Sequence, residues 1–245
     1  MKTIIFLGAK DIGFRCLQYL NENQQNFSAQ IVGVLTNPAN KLNVGLDWYG
    51  YCAQQGLPVF EQLSEIPPCD FIVSVQYHRI LRARHIAQAS KIAVNLHLAP
   101  LPEYRGCNQF SFAIAESAPL FGVTLHRLEK GIDSGDILFE HRFPIPQHCF
   151  VRDLYDLTCH HAFDLFAKHI SDVLSQNYRL VPQESLLSER KCSYHFRHEI
   201  DQLKQIDLNW EAEKIERYIR ATWFPPFEPP YTFIGQKKVY FQPKE

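Results

Sequence analysis

TIIFLGAKDIGFRCLQYLNENQQNFSAQIVGVLTN, residues 3–37, decides the architecture. Its two ends, TIIFLGA and IVGVLTN, are short runs rich in Ile and Val and apolar almost without interruption. Strands covered on both faces of a parallel sheet have that texture. Between them Ile12, Cys16, Tyr19 and Leu20 fall on one helical face, so the stretch reads as strand, amphipathic helix, strand. DFIVSVQ (70–76) and KIAVNLH (91–97) repeat the strand texture, and WYGYCAQQG (48–56) opens another helical segment. The pattern predicts an α/β fold: a Rossmann-like, mostly parallel sheet with helices on both faces.

FGVTLHRL (121–128) and DILFEHRFPI (136–145) follow too closely for a helix between them, which predicts an antiparallel pair added to the sheet. Residues 151–177 carry Leu154, Leu157, Ala162, Leu165, Phe166 and Ile170 near one stripe, a long amphipathic helix. A polar connection follows. The tail then reads as a helix (209–222), a rigid Pro-aromatic loop WFPPFEPP (223–230) and a hairpin YTFIGQKKVYF (231–241) turning at Gly235. The expected division is a main domain over 1–180, a connection over 181–205 and a small subdomain over 206–245.

Composition narrows the classes of partner. A chain of 245 residues, 46% hydrophobic and 21% charged, is ordinary globular material for one domain with an appendage. The net charge of -1 gives no basic imbalance of the kind a nucleic-acid partner requires. No window reaches the roughly 18 apolar residues of a membrane helix, and the apolar run Ile4–Leu7 suits a first strand better than a signal peptide. Seven cysteines, an odd number without any C-x-x-C, indicate neither a disulfide framework nor a zinc ribbon, and reduced thiols imply a cytoplasmic chain.

The first turn, GAKDIG (8–13), sits where phosphate loops sit but satisfies neither motif. Lys10 stands where a dinucleotide fingerprint needs Gly, and Phe14 and Arg15 stand where a P-loop needs Lys and Ser or Thr. What survives is a helix N-terminus with Lys10 beside it, able to meet an anionic group; a plain tight turn explains it equally well.

Asn95 and His97 are two apart on a strand and face the same side. Their strand ends at the carboxyl edge, where open α/β sheets place ligands. A histidine there is, taken alone, more often structural than catalytic. His126 lies on a later strand, and Asp133 follows in a turn bracketed by Gly131 and Gly135; an Asp in such a turn often only caps its own backbone.

Together, NLHLAPLPEYRG (95–106) and VTLHRLEKGIDSGDIL (123–138) resemble the signature of the 10-formyltetrahydrofolate-dependent formyltransferases, nucleotide-sugar N-formyltransferase branch included. The resemblance spans roughly residues 1–180. It implies a catalytic trio of Asn95, His97 and Asp133 and 10-formyltetrahydrofolate as co-substrate; His126, seven positions before Asp133, reads either as a partner behind the trio or as a plain sheet histidine. It places the pterin against VQYHRILRARHI (75–86), hence Tyr77, His78, Ile80 and Leu81; Arg82 and Arg84 there can attract the glutamate tail, although two arginines at helical spacing are usually just a solvated face. Formyl transfer to an amine needs a donor for the developing oxyanion, a proton acceptor and a group to orient it; Asn95, His97 and Asp133 offer these, and no metal is required.

The resemblance leaves the acceptor to be chosen. Glycinamide ribonucleotide enzymes carry a Gly/Ser-rich first loop, from which GAKDIG departs. Methionyl-tRNA enzymes append a basic barrel that this tail does not match. The nucleotide-sugar branch remains, with a dTDP- or UDP-linked 4-amino-4,6-dideoxyhexose for a surface glycan as the expected acceptor. Lys10, Arg105, Asn108, Gln109, Trp223 and Tyr231 are its expected contacts, although packing of the tail is a rival account of Trp223. A methionyl-tRNA enzyme, a folate- or nucleotide-binding protein without turnover, and a formate-releasing hydrolase stay as alternatives. Loops 9–15, 41–49 and 105–110 set the base and sugar, and the tail's aromatics suggest a homodimer interface.

Overall fold

The computed structural model describes residues 1–36 and 45–243. The opening stretch forms β1 (Lys2–Gly8), α1 (Lys10–Glu22), the short α2 (Gln24–Phe27) and β2 (Ala29–Thr36). Next come α3 (Trp48–Gln55), β3 (Cys69–Val75), α4 (Ala83–Ile86), β4 (Ala89–His97), the two-residue β5 (Arg105–Gly106), α5 (Gln109–Ala115), β6 (Leu120–Arg127), β7 (Ile137–Pro144) and α6 (Val151–Leu174). The tail holds β8 (Tyr194–His195), α7 (Ile200–Lys204), α8 (Ala212–Thr222), β9 (Tyr231–Ile234) and β10 (Lys237–Tyr240).

The main sheet has six strands in the order β2-β1-β3-β4-β6-β7. The first four are parallel, and β6 and β7 add antiparallel pairing at one side. The chain leaves β1 in one direction to form β2 and returns on the other side as β3. The carboxyl ends of β1 and β3 therefore flank the switch point where such sheets open a crevice.

Alternation along the strands sorts side chains into two unequal layers. Ile4 and Phe6 of β1, Phe71 and Val73 of β3, Ile92, Val94 and Leu96 of β4, and Phe121, Val123 and Leu125 of β6 enter a large core with α1, α3, α5 and α6. Their neighbours Ile5, Leu7, Ile72 and Ala93 face a smaller core covered by Leu63, Leu81 and Ile86. Helices lie on both faces, but among the described residues only the short α4 and a single turn at Leu63–Glu65 serve the second. Asn95, His97, Thr124 and His126 share the parity of Ala93 and so emerge on that thinly covered side.

Residues 181–205 do more than connect. Val181 exchanges two backbone hydrogen bonds with Ile137, both 2.9 Å. β8 pairs in parallel with β5, so this segment lies across the loop that follows β4. The tail helix α8 packs on α5, where Arg217 Nε donates to the Ala115 carbonyl at 3.1 Å. β9 and β10 form the expected hairpin, with Gly235 at φ +62° in the turn. The Ile206 N–H ties it down by donating to the Tyr231 carbonyl at 2.7 Å.

Candidate active site

The site is built at the carboxyl end of β4. Asn95 and His97 point to the thinly covered face, and register places His126 of β6 directly opposite Asn95. The loop after β4 is held from below by Thr124, whose hydroxyl donates to the Ala99 carbonyl at 2.8 Å. Asp133 reaches in from the turn between β6 and β7. His97 and His126 are buried, at 4% and 1% exposure, and Asn95 keeps partial access to solvent.

Hydrogen-bond partners fix the ring tautomers. His97 Nε2 lies 2.7 Å from the Tyr104 carbonyl, which can only accept, so Nε2 carries the proton and Nδ1 is bare in the neutral ring. His126 is the opposite case. Its Nδ1 donates to the Arg127 carbonyl at 2.9 Å, and its bare Nε2 accepts from Asn95 Nδ2 at 3.2 Å. Both bare nitrogens face one carboxylate: His97 Nδ1 is 3.7 Å from Asp133 Oδ2, and His126 Nε2 is 3.6 Å from Asp133 Oδ1. A proton arriving on either ring is held against the acid.

Burial alone would push the Asp133 carboxyl upward. His97, His126 and the Gly106 N–H outweigh it and hold the group well below the usual carboxylate range. The Gly106 bond to Oδ2 measures 3.0 Å. Asp133 itself sits in the left-handed region at φ +50°, an uncommon place for a residue with a side chain. The two bracketing glycines serve the turn differently. Gly131 has φ +131°, while Gly135 is needed for space, since a Cβ there would strike the Arg127 carbonyl.

Lys10 and Gln76 mark the switch point. Both are left-handed, at φ +62° and +55°, and Lys10 Nζ donates to Gln76 Oε1 at 2.7 Å. Burial, opposed by the nearby Cys159 thiol and reinforced by Arg197, lowers the Lys10 pKa from its ordinary value. Among the described residues no hydrogen bond or ion pair engages the guanidinium of Arg197, in the 3-10 turn Arg197–Glu199.

Three expected substrate contacts are otherwise engaged. Arg105 does not present a free fork: its Nε and Nη2 both donate to Gln183 Oε1, at 3.0 and 2.7 Å. Asn108 spends its amide on the carbonyls of Phe196 and Arg197, at 3.0 and 3.1 Å. Tyr231 has its ring face covered by Lys238, 3.6 Å from the ring centre, within the hairpin. Each was expected to contact sugar, phosphate or base, and each has the internal partner described. Gln109 is buried in the first turn of α5. Trp223 ends α8 and meets Phe150 edge to face at 6.0 Å, the packing role that rivalled a stacking one.

Of the four expected pterin contacts, Tyr77 packs beside the smaller core and makes an edge contact with His78. Leu81 is buried in that core, whereas Ile80 is 68% exposed. A surface depression joins Ile80 to Arg79, Arg82, Arg84, His85 and residues 62–64. Among the described residues no carboxylate pairs with these three arginines. Of the loops expected to set acceptor identity, residues 41–44 lie outside the described residues.

Sequence reasoning missed Gln183, Gln76 and Arg197. Gln183 is only 2% exposed, and its one advance sign was an uncharged polar residue after a Pro in VPQES. Among the described residues no group of three or more His, Cys, Asp or Glu side chains is placed to hold a metal ion. No helix among them is long and apolar enough to cross a membrane.

Two histidines, an amide and a turn-held acid thus meet at the carboxyl edge of the sheet of an α/β domain. Residues 53–169 match the formyl transferase family model, so the chain carries a formyl transferase domain. It is 31% identical over 181 residues to GDP-perosamine N-formyltransferase of Brucella melitensis, covering 71% of this chain and 64% of that protein. The chain thus spans a little under two thirds of that relative's length. Methionyl-tRNA formyltransferase of Latilactobacillus sakei is 27% identical over 90% of this chain and 71% of its own. Among solved structures, the N-formyltransferase of Helicobacter canadensis in complex with folinic acid and dTDP-3-aminofucose superposes with a TM-score of 0.79 at 24% identity, covering 98% of this chain and 86% of that one.

Proposed function

We propose that the chain is an N-formyltransferase that moves the formyl group of 10-formyltetrahydrofolate to the free amine of a nucleotide-linked aminosugar. The observation that carries this reading is the convergence of Asn95, His97, His126 and Asp133 from three segments onto one point at the carboxyl edge of the sheet. The GDP-perosamine relative, and the dTDP-aminosugar and folinic acid held by the Helicobacter canadensis protein, support the choice of acceptor and donor.

The reaction forms a bond from the acceptor nitrogen to the formyl carbon and breaks the bond from that carbon to the folate nitrogen. The amine proton ends on the departing nitrogen. Asn95 spends one amide hydrogen on His126; its second serves the oxyanion. His97 is the proton acceptor. Its Nε2–H is committed to the Tyr104 carbonyl, so the proton enters at Nδ1 and Asp133 stabilises the resulting imidazolium. His126, with its bare nitrogen on the same carboxylate, keeps Asn95 and Asp133 in register. The folate supplies the activated formyl group, and Tyr77, Ile80 and the arginine-lined depression are where its ring and tail fit.

That tail is anionic, and Arg82 and Arg84 are exposed cations without an acidic partner among the described residues. The double variant Arg82→Gln/Arg84→Gln should raise KM for the folate about fivefold, the sum of two exposed charge contacts, and leave kcat within twofold. Steady-state kinetics at low and high salt check this. An unchanged KM at low salt removes the two arginines from the donor site.

The acceptor is tested by offering GDP-, dTDP- and UDP-linked aminosugars, charged initiator tRNA and no acceptor at all. Mass spectrometry should find a formylated sugar nucleotide. Reaction with the tRNA alone would transfer the assignment to the methionyl-tRNA branch, and formate release without acceptor would make the chain a hydrolase.

A further inference from the structure

Asp133 is held in an uncommon backbone conformation at the centre of the site, and something must over-determine it. The geometry points to Gln183 as a positioning residue that sets the Asp133 carboxylate against His97. The inference rests on the formyltransferase reading only for its kinetic consequence.

Gln183 reaches the turn from outside the trio's own elements. Its Nε2 donates to the carbonyl of Asp133 at 2.9 Å and to the carbonyl of Gly135 at 2.7 Å, gripping the turn on both sides of Ser134. Its Oε1 accepts from Nε and Nη2 of Arg105. Arg105 precedes Gly106, whose N–H is bonded to the Asp133 carboxylate. One amide thus sets both the backbone that carries the acid and the backbone donor that aims it.

The chemistry specifies the residue type. A side-chain amide offers two hydrogens and two lone pairs on adjacent atoms, and Gln183 uses all four. Glutamate would keep Arg105 but set negative charge against two carbonyls. Methionine would fill the volume and make none of the bonds. Gln183 is buried, and among the described residues its side-chain hydrogen bonds go to Arg105, Asp133 and Gly135 and none to His97 or Asn95, so it acts through Asp133.

The test uses Gln183→Glu and Gln183→Met, with Ser185→Ala as a control in the same segment. Ser185 is exposed and donates only to the Pro182 carbonyl, so its variant should match wild type in every readout. The first readout is independent of catalysis: the Gly106 amide signal in the nitrogen–proton NMR spectrum and its hydrogen exchange. Both Gln183 variants should shift this signal and speed its exchange at least tenfold. The second is kinetic. A displacement of the acid by about 1 Å should lower kcat on the order of 100-fold with KM nearly unchanged, and the Glu variant should be as slow as the Met variant while melting at a higher temperature.

If neither variant folds, the wild type still decides: the Gln183 side-chain amide hydrogens must exchange as slowly as those of the sheet, and fast exchange overturns the proposal. An undisturbed Gly106 amide in folded variants overturns it too, as does wild-type turnover in the Glu variant. Absence of formyl transfer in the wild type would sink the functional reading alone, since the amide measurements need no substrate.

Discussion

His97→Ala and Asn95→Ala each lower kcat by about 100- to 10,000-fold while the protein keeps its fold. The range follows from what each group does. A positioned proton acceptor contributes roughly 10²–10⁴ in rate, and one preorganised oxyanion donor about 2.7–4 kcal/mol. Asn95 retains some access to solvent, so its loss leaves no sealed void. His97 is buried, and its removal frees the Tyr104 carbonyl and opens space beside Asp133; a modest fall in melting temperature is expected with the loss of rate. Turnover under saturating donor and acceptor, compared with the thermal melt, separates the two effects. Near-normal rates in both folded variants would remove these residues from the chemistry.

Asp133→Asn should cost kcat on the order of 10³-fold or more, by analogy with the ~10⁴ lost when the acid beside a catalytic imidazole becomes an amide. Asparagine keeps the shape and still accepts from the Gly106 N–H. With its oxygen kept on the Gly106 N–H, its amide hydrogens face His126 alone, and a neutral amide stabilises no imidazolium on His97. The variant should therefore fold well and turn over poorly. Its pH behaviour carries a second signature. The native carboxyl is depressed below its unfolded value of about 3.9. Its contribution to stability is fully present above that value and is lost as pH falls through the folded pKa. Wild type should lose stability below about pH 4 more steeply than Asp133→Asn. Equal slopes below pH 4 would show that the acid is not held as the structure places it. Because Asp133 stays ionised above that range, any loss of rate on mild acidification comes from another group.

The sheet was readable because its strands are apolar on both faces, a texture that survives without any knowledge of neighbours. The spacing of Asn95 and His97 sets a common face and Gly131-Ile132-Asp133 announces a turn, but only the resemblance to the formyltransferases joined the three residues into a trio. Sequence could not say which polar side chains would be spent internally. Arg105, Asn108 and Tyr231 have the chemistry of ligand contacts, and their partners Gln183, the 196–197 carbonyls and Lys238 lie up to 89 residues away or in a hairpin whose packing no period encodes. The 181–205 segment was opaque for a related reason. β8 is two residues long, and its pairing with β5 is set by tertiary contact, so neither strand leaves an alternation to detect. Gln183 fell in that blind stretch.

Whether the imidazole and the carboxylate work as one proton-handling unit is tested most directly by a double-mutant cycle in kcat. His97→Ala, Asp133→Asn and the double variant are compared at saturating substrates, with folding verified for each. The account predicts that the double variant is no slower than the slower single one, because the acid acts only through the ring. Losses that multiply would mean the two side chains act independently, contrary to the arrangement described for them.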